Sequence, residues 1–185
     1  MRRLAFIAPS ALVLSVALVA AAHGNIKQKG AASASFHAVG PGGLKIEGKA
    51  GKPEVTQNGD TLVVKVPLKG HLKTGIDLRD KHCGKAINVD TWPASSFSAK
   101  IKDLKFPAPG KKVDDASITG DFKFNGVTKP MTFTYDAEFD KGNVVVKGHG
   151  TFDYTQFKVE EQCYLGVCVK KDVKISVEFT VERDR

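Results

Sequence analysis

Hydrophobic and polar residues alternate with a period of two through most of this chain. Val173, Ile175, Val177, Phe179 and Val181 alternate with Lys174, Ser176, Glu178, Thr180 and Glu182. Met131, Phe133, Tyr135, Ala137 and Phe139 make a second such face, and Val144, Val146, Gly148, Gly150 and Phe152 a third. Ile118, Gly120, Phe122 and Phe124 give a fourth, Leu62, Val64, Val66 and Leu68 a fifth, and Phe97, Ala99 and Ile101 a sixth. Phe36, Leu44 and Ile46 suggest one or two more. This period predicts antiparallel β-sheet with one buried face and one wet face. The breakers agree. Asn125-Gly126 and Lys141-Gly142-Asn143 suit tight hairpin turns, and Gly40 to Gly43 and Gln57 to Asp60 are further interruptions. Pro67 marks an edge strand or a strand end.

Roughly eight strands in one domain favour a closed barrel over an open sheet. Periodicity alone does not distinguish a barrel from a β-sandwich. The inner faces carry the small residues Ala99, Gly120, Ala137, Gly148 and Gly150. Two readings of them stand side by side: space for a ligand inside the barrel, or glycine relieving the bends of the strands.

The segment from Thr74 to Pro93, TGIDLRDKHCGKAINVDTWP, breaks the alternation. We expect it to leave the sheet as a short helical excursion near 78–90, and function concentrates in such connections. The arginines are Arg2, Arg3, Arg79, Arg183 and Arg185, so Arg79 alone lies away from the chain ends. A guanidinium grips a carboxylate or phosphate in a planar fork that lysine cannot copy. Arg79 is therefore a candidate for a ligand head group, or for a structural pair with Asp80 or another carboxylate.

The first residues read as an address. Arg2 and Arg3 precede an apolar run from Leu4 to Val19, and Ala20-Ala21-Ala22 offers a cleavage site. This is the pattern of a secretory signal peptide over residues 1–22, and the run is shorter than the ~20 residues a membrane span needs. Removing Arg2 and Arg3 takes the formal net charge from +8 to +6. The mature chain, 23–185, is one domain long and large enough for a real core. Its lysines are scattered singly over the polar strand positions. With export expected and no aromatic-basic motif, nucleic acid is excluded as a partner.

The excursion and the turns together resemble the YceI-like family. The resemblance rests on Thr74-Gly75, then Leu78-Arg79-Asp80-Lys81-His82, Trp92-Pro93 with Phe97, and Phe124-Asn125-Gly126-Val127-Thr128-Lys129-Pro130. Phe152 to Phe157 and Asp172 to Ile175 close the pattern, which covers roughly Ser33 to Glu182. Two positions depart from it: Cys83 stands where the family has leucine, and Lys158 where it has glycine. The resemblance implies a lipocalin-like antiparallel barrel in the bacterial periplasm. Its apolar tunnel would bind a long isoprenoid or fatty chain. Phe97, Phe122, Phe133, Tyr135, Val146, Ile175 and Val177 are then expected to line the tunnel, with Arg79, His82 and Lys85 at its mouth. A homodimer and contact with a membrane for lipid exchange belong to the same expectation.

Cys163 and Cys168 enclose four residues, a spacing at which they can face each other across a hairpin, and export favours their oxidation. A disulfide between them leaves Cys83 free. A zinc site built from His82, Cys83, Cys163 and Cys168 is disfavoured, because C-x4-C sits at the edge of ligand spacing. No metal or other cofactor is expected. Gly-x-Ser-x-Gly, a phosphate loop and His-Glu-x-x-His are missing, so no enzyme chemistry is expected. The sequence thus points to an exported lipid-binding barrel. The rivals are a thiol-reactive stress protein using Cys83 and a structural protein with a plugged barrel.

Overall fold

Three tight turns fix the register of the strands they join. Asn125-Gly126, Lys141-Gly142 and Leu165-Gly166 all take positive φ at both central residues. That geometry matches the right-handed twist of antiparallel strands. In the computed structural model, which describes residues 25–183, the strands are β1 (Ile26–Val39), β2 (Lys45–Lys49), β3 (Glu54–Asn58) and β4 (Thr61–Pro67). The helix α1 (Asp77–Ala86) follows, then β5 (Ala94–Lys100), β6 (Lys112–Phe124), β7 (Val127–Asp140) and β8 (Asn143–Asp153). The small hairpin β9 (Cys163–Tyr164) and β10 (Val167–Cys168) precedes β11 (Asp172–Arg183). The expected signal segment lies outside the described residues.

The main sheet has nine strands in the order β2-β1-β11-β8-β7-β6-β5-β4-β3, with every neighbouring pair antiparallel. Its two outermost strands, β2 and β3, are separated in sequence only by Ala50 to Pro53. They are the halves of one bent strand. The first half pairs with β1 and the second with β4, so the bend brings the two ends of the sheet together. Gly51 sits at the bend with its N–H on the Pro67 carbonyl, 2.8 Å away. A Cβ on Gly51 would lie 2.6 Å from that same oxygen, so only glycine fits.

Below the bend no backbone ladder joins β1 to β3. Glutamine side chains take its place. The Gln28 amide donates to Pro53 O and accepts from Val55 N, both at 2.8 Å, and Gln57 Oε1 accepts from Ile26 N at 2.8 Å. This explains why β3 is not legible as an alternating strand. One of its inner positions is a glutamine that serves the seam, and only Val55 is apolar there. Bulges at Lys29/Ala32 and Val113/Ala116 bend β1 and β6 to complete the curl. Pro67 is the last residue of β4, as its missing donor requires.

Most residues predicted to face inward do so; Leu44, expected in a strand with Ile46, instead lies exposed in the turn before β2. Phe122, Phe133, Tyr135, Ala137, Phe152, Phe179 and Val181 are buried in one continuous core. The disulfide pairs Cys163 with Cys168 and leaves Cys83 free. Lys158 adopts φ 57 and ψ 30, the left-handed region that explains why its position suits glycine.

Replacing Gln28 by Ala removes both seam bonds and leaves a partly buried N–H and C=O without partners. Urea unfolding should show a loss of about 1–3 kcal/mol. A loss below about 0.5 kcal/mol would mean that the seam is held by something else.

Candidate functional site

The core is not solid. Between the strands lies an apolar cavity of about 460 Å³. All seven residues expected to line a tunnel do line it: Phe97, Phe122, Phe133, Tyr135, Val146, Ile175 and Val177. On β11 the lining runs through every inward residue from Val173 to Val181. That is about 26 Å of strand at ~3.3 Å per residue, so the cavity is long rather than round. Val146, Ile175, Val177 and Phe97 are only half-buried, although their side chains point inward. They border the open space on one side while packing against the buried core on the other, Phe97 on the Phe133 ring at 4.8 Å.

The inward glycines differ in what lies opposite them, and only one of them answers to the space reading. A Cβ on Gly120 would meet Ser98 O at 2.3 Å, and one on Gly150 would meet Met131 Cε at 2.6 Å. Backbone packing requires glycine at 120, while at 150 a Cβ would only have to displace the end of the Met131 side chain and press on Phe133. A Cβ on Gly148 would find its nearest neighbour at 3.4 Å, and Gly148 borders the cavity. Its missing side chain is part of the space.

α1 crosses one mouth of the barrel. Arg79, His82, Cys83 and Ala86 fall at i, i+3, i+4 and i+7, one face of a helix, and all four line the cavity. Lys85, expected at the mouth with Arg79 and His82, is not among the lining residues. It lies on the outer face and is exposed.

Arg79 is held by Thr74, not by Asp80 as a carboxylate pair would require. Its Nε donates to Thr74 Oγ1 at 2.9 Å and its Nη2 to Thr74 O at 2.8 Å. The Thr74 hydroxyl and N–H in turn donate to Asp80 Oδ1, at 2.6 and 2.7 Å. Thr74 thus links the guanidinium and the carboxylate and pins the start of the excursion. These bonds hold the Asp80 carboxyl below its ordinary pKa, the Thr74 hydroxyl contributing most. The second oxygen, Asp80 Oδ2, is 3.7 Å from Lys73 Nζ. The far end of the excursion is pinned as well. Asn88 donates to Asn125 Oδ1 at 3.1 Å, and Asn125 donates to Phe157 O at 2.9 Å and Lys158 O at 3.2 Å. The Trp92 ring covers Gly126, where any Cβ would strike it at 2.4 Å.

Sequence reasoning missed three features of the site. Tyr135 contributes its ring to the cavity but spends its hydroxyl on the backbone of Lys105, accepting from N at 2.7 Å and donating to O at 3.2 Å. It thereby fixes the loop that brings Leu104 and Phe106 to the lining. The apolar pair inside a polar loop was the available signal. Burial pushes the Tyr135 phenol above its ordinary pKa. Cys83 also borders the cavity, beside His82. Burial raises its thiol pKa, with a smaller opposing effect of Arg79 and a smaller reinforcing one of Asp80. Third, Cys163 borders the same cavity while its sulfur is bonded to Cys168. That bond takes both thiols out of metal ligation.

A curled antiparallel barrel with a long apolar interior and a helical excursion across one mouth defines a lipocalin-like, cavity-bearing β protein. This chain belongs to the family of YceI-like domains, whose pattern matches residues 19–181. The fold is similar to a polyisoprenoid binding domain from Saccharophagus degradans implicated in plant cell wall breakdown, with TM-score 0.71 and 9% identity over 87% of this chain and 99% of that one. It is also similar to BcnA of Burkholderia cenocepacia, with TM-score 0.63 and 14% identity over 80% of this chain and 95% of that one. No curated protein matches the chain well enough to stand as a relative.

Thr74→Val removes the hydroxyl that serves both Arg79 and Asp80. The variant should melt below the wild type at neutral pH. The folded-state pKa of Asp80 is depressed, so this stability is present above the unfolded value of about 3.9 and is lost as pH falls through the folded one. The gap between the melting curves should therefore narrow at acid pH, leaving what the pH-independent Arg79 bond contributes. A gap that is constant from neutral pH down to the acid limit would assign the effect to packing instead.

Proposed function

We propose that this protein is an exported lipid-binding protein that holds one long, mostly linear apolar chain in its barrel. The ligand class is a polyisoprenoid, an isoprenoid quinone, or a fatty acid or amide, bound for carriage, storage or stress response. The protein acts by binding, without catalysis. The observation that carries this reading is the long cavity with half-buried apolar walls. Its volume, about 460 Å³, is in the range of small-molecule sites. Each CH₂ transferred from water contributes ~0.8 kcal/mol, so about a dozen offset an association cost of ~4–15 kcal/mol. The polyisoprenoid binding domain that shares the fold supports the same class of ligand. Export is supported by the signal-like first 22 residues and by the Cys163–Cys168 pair, since disulfides persist in oxidising compartments.

The two rivals fit less well. A reactive cysteine needs a lowered pKa, and burial moves Cys83 the other way. A plugged barrel needs side chains where the cavity lies.

Gly148→Phe tests the cavity directly. The backbone there tolerates a Cβ, so the phenyl ring competes with ligand rather than with the fold. Fluorescent fatty-acid binding by the mature protein should weaken by at least roughly tenfold, the worth of ~1.4 kcal/mol, while the melting temperature is kept or raised. Gly148→Ala should bind like the wild type. Equal binding by all three proteins would reject the cavity as the site.

A further inference from the structure

The connections of the barrel sort cleanly between its two ends. β1, β4, β6 and β8 run toward one end, so the connections β1–β2, β4–β5, β6–β7 and β8–β11 all lie there, with α1 and the disulfide hairpin. Among the described residues, the exposed large hydrophobic side chains are Leu44, Ile76, Leu78, Trp92, Leu165 and Val167. Each sits in one of the connections at this end; the opposite end has none of them.

Their local settings are unfavourable for a protein surrounded only by water. α1 leaves one large apolar side chain on its outer face. Its cavity side carries Arg79, His82, Cys83 and Ala86, while Leu78, 63% exposed, faces outward. Lys81 and Lys85 share the outer face with Leu78 at i+3 and i+7, and both are exposed. Leu165 is 87% exposed at the apex of the β9–β10 turn, with φ 47, a conformation that asparagine or glycine adopts more easily. The Cys163–Cys168 bond fixes this apex at its base. The hairpin's own ladder continues through Val169 N to Gln162 O at 2.9 Å, and it is tied to the fold where Lys170 N donates to Val39 O at 2.8 Å. A leucine is thus held rigidly into solvent in a backbone conformation that disfavours it.

Lysine stands among these apolar side chains. The connections at this end, residues 40–44, 68–93, 125–126 and 154–171, hold eight Lys and Arg side chains against five Asp and Glu, and the opposite end's 59–60, 101–111 and 141–142 hold four against two. The charge that matters is therefore local: Lys81 and Lys85 beside Leu78. Apolar side chains fringed by lysine fit the interface of an anionic bilayer, where leucine enters the acyl boundary and lysine meets the head groups. The cavity lining reaches this end through His82, Cys83, Cys163 and Val169.

We propose that the α1 end of the barrel is a docking surface for anionic lipid bilayers, with Leu78 and Leu165 as the inserting side chains. The surface brings the cavity mouth to the membrane from which an apolar chain is taken or to which it is given. Its purpose, though not its binding, rests on the lipid-binding reading above.

The test uses the mature protein and two leucine substitutions that favour the fold locally. Leu165→Asn suits the turn, and Leu78→Glu places an acid in the first turn of α1, where the helix dipole welcomes it. Wild-type protein should sediment with phosphatidylcholine vesicles containing phosphatidylglycerol, and less with phosphatidylcholine alone. Each substitution should weaken this binding by roughly tenfold, as expected for one leucine no longer buried. The double variant should bind a fluorescent fatty acid from free solution like the wild type, yet acquire it from vesicles more slowly. Wild-type protein that ignores both kinds of vesicle, or variants that bind them equally well, would overturn the docking surface while leaving the cavity reading intact. Vesicle binding without any uptake of the fatty acid would support docking and reject the lipid-binding function. A wild type that is dimeric without vesicles, and monomeric in both variants, would assign the patch to a second copy of the chain and overturn the proposal.

Discussion

Everything inside this barrel depends on how its sheet is closed. A curled sheet with two free edges would leave rows of unpaired N–H and C=O groups beside an apolar space, at a cost of about 1–3 kcal/mol for each group buried without a partner. The chain avoids this by passing one bent strand from β1 to β4. Gly51 allows the bend to press against Pro67. Where the bent strand parts from β1, Gln28 and Gln57 replace the missing ladder with side-chain amides. The seam is also why an interior without filling side chains survives. The walls are held by hydrogen bonds around the circumference, so they need less support across the middle.

Several of the polar groups that border the cavity are committed to the fold. Thr74 takes two of the Arg79 nitrogens, and the backbone of Lys105 takes the Tyr135 hydroxyl. The greater part of the wall is apolar and demands no particular hydrogen-bonding partner from a guest. An apolar pocket separates ligands differing by one methylene by only ~1–3 kcal/mol, whereas a polar site rejects an imperfect partner far more strongly. Under the proposed function, selection then rests on length and shape along the barrel.

The parts legible in the sequence are those where one residue type answers one physical demand. β7 and β11 alternate because each has a core face and a water face, and all seven wall residues followed from that alternation and the family resemblance. The disulfide followed from spacing and from the expectation of export. β3 was hidden because Gln57 occupies an inner position to satisfy Ile26, a contact 31 positions away in the chain. Gly120, Gly148 and Gly150 looked alike, because a missing Cβ reads the same whether backbone or empty space lies opposite. The partner of Arg79 was misjudged for a related reason. Asp80 is its neighbour in sequence, but consecutive helical residues diverge by about 100°, and Thr74 stands between them. Lys85 fell outside the cavity through the same rotation.

The half-buried state of Phe97, Val146, Ile175 and Val177 has a thermal meaning. These side chains point into the molecule but are not removed from water, so the empty barrel has an unfinished core. Unfolding it exposes less new apolar surface than its composition suggests, and its heat-capacity increment should be correspondingly small. An apolar chain lying along β11 would finish that core with atoms from outside the polypeptide. In that state the guest is a structural member of the protein, and the curvature of the stability curve becomes a property of the pair.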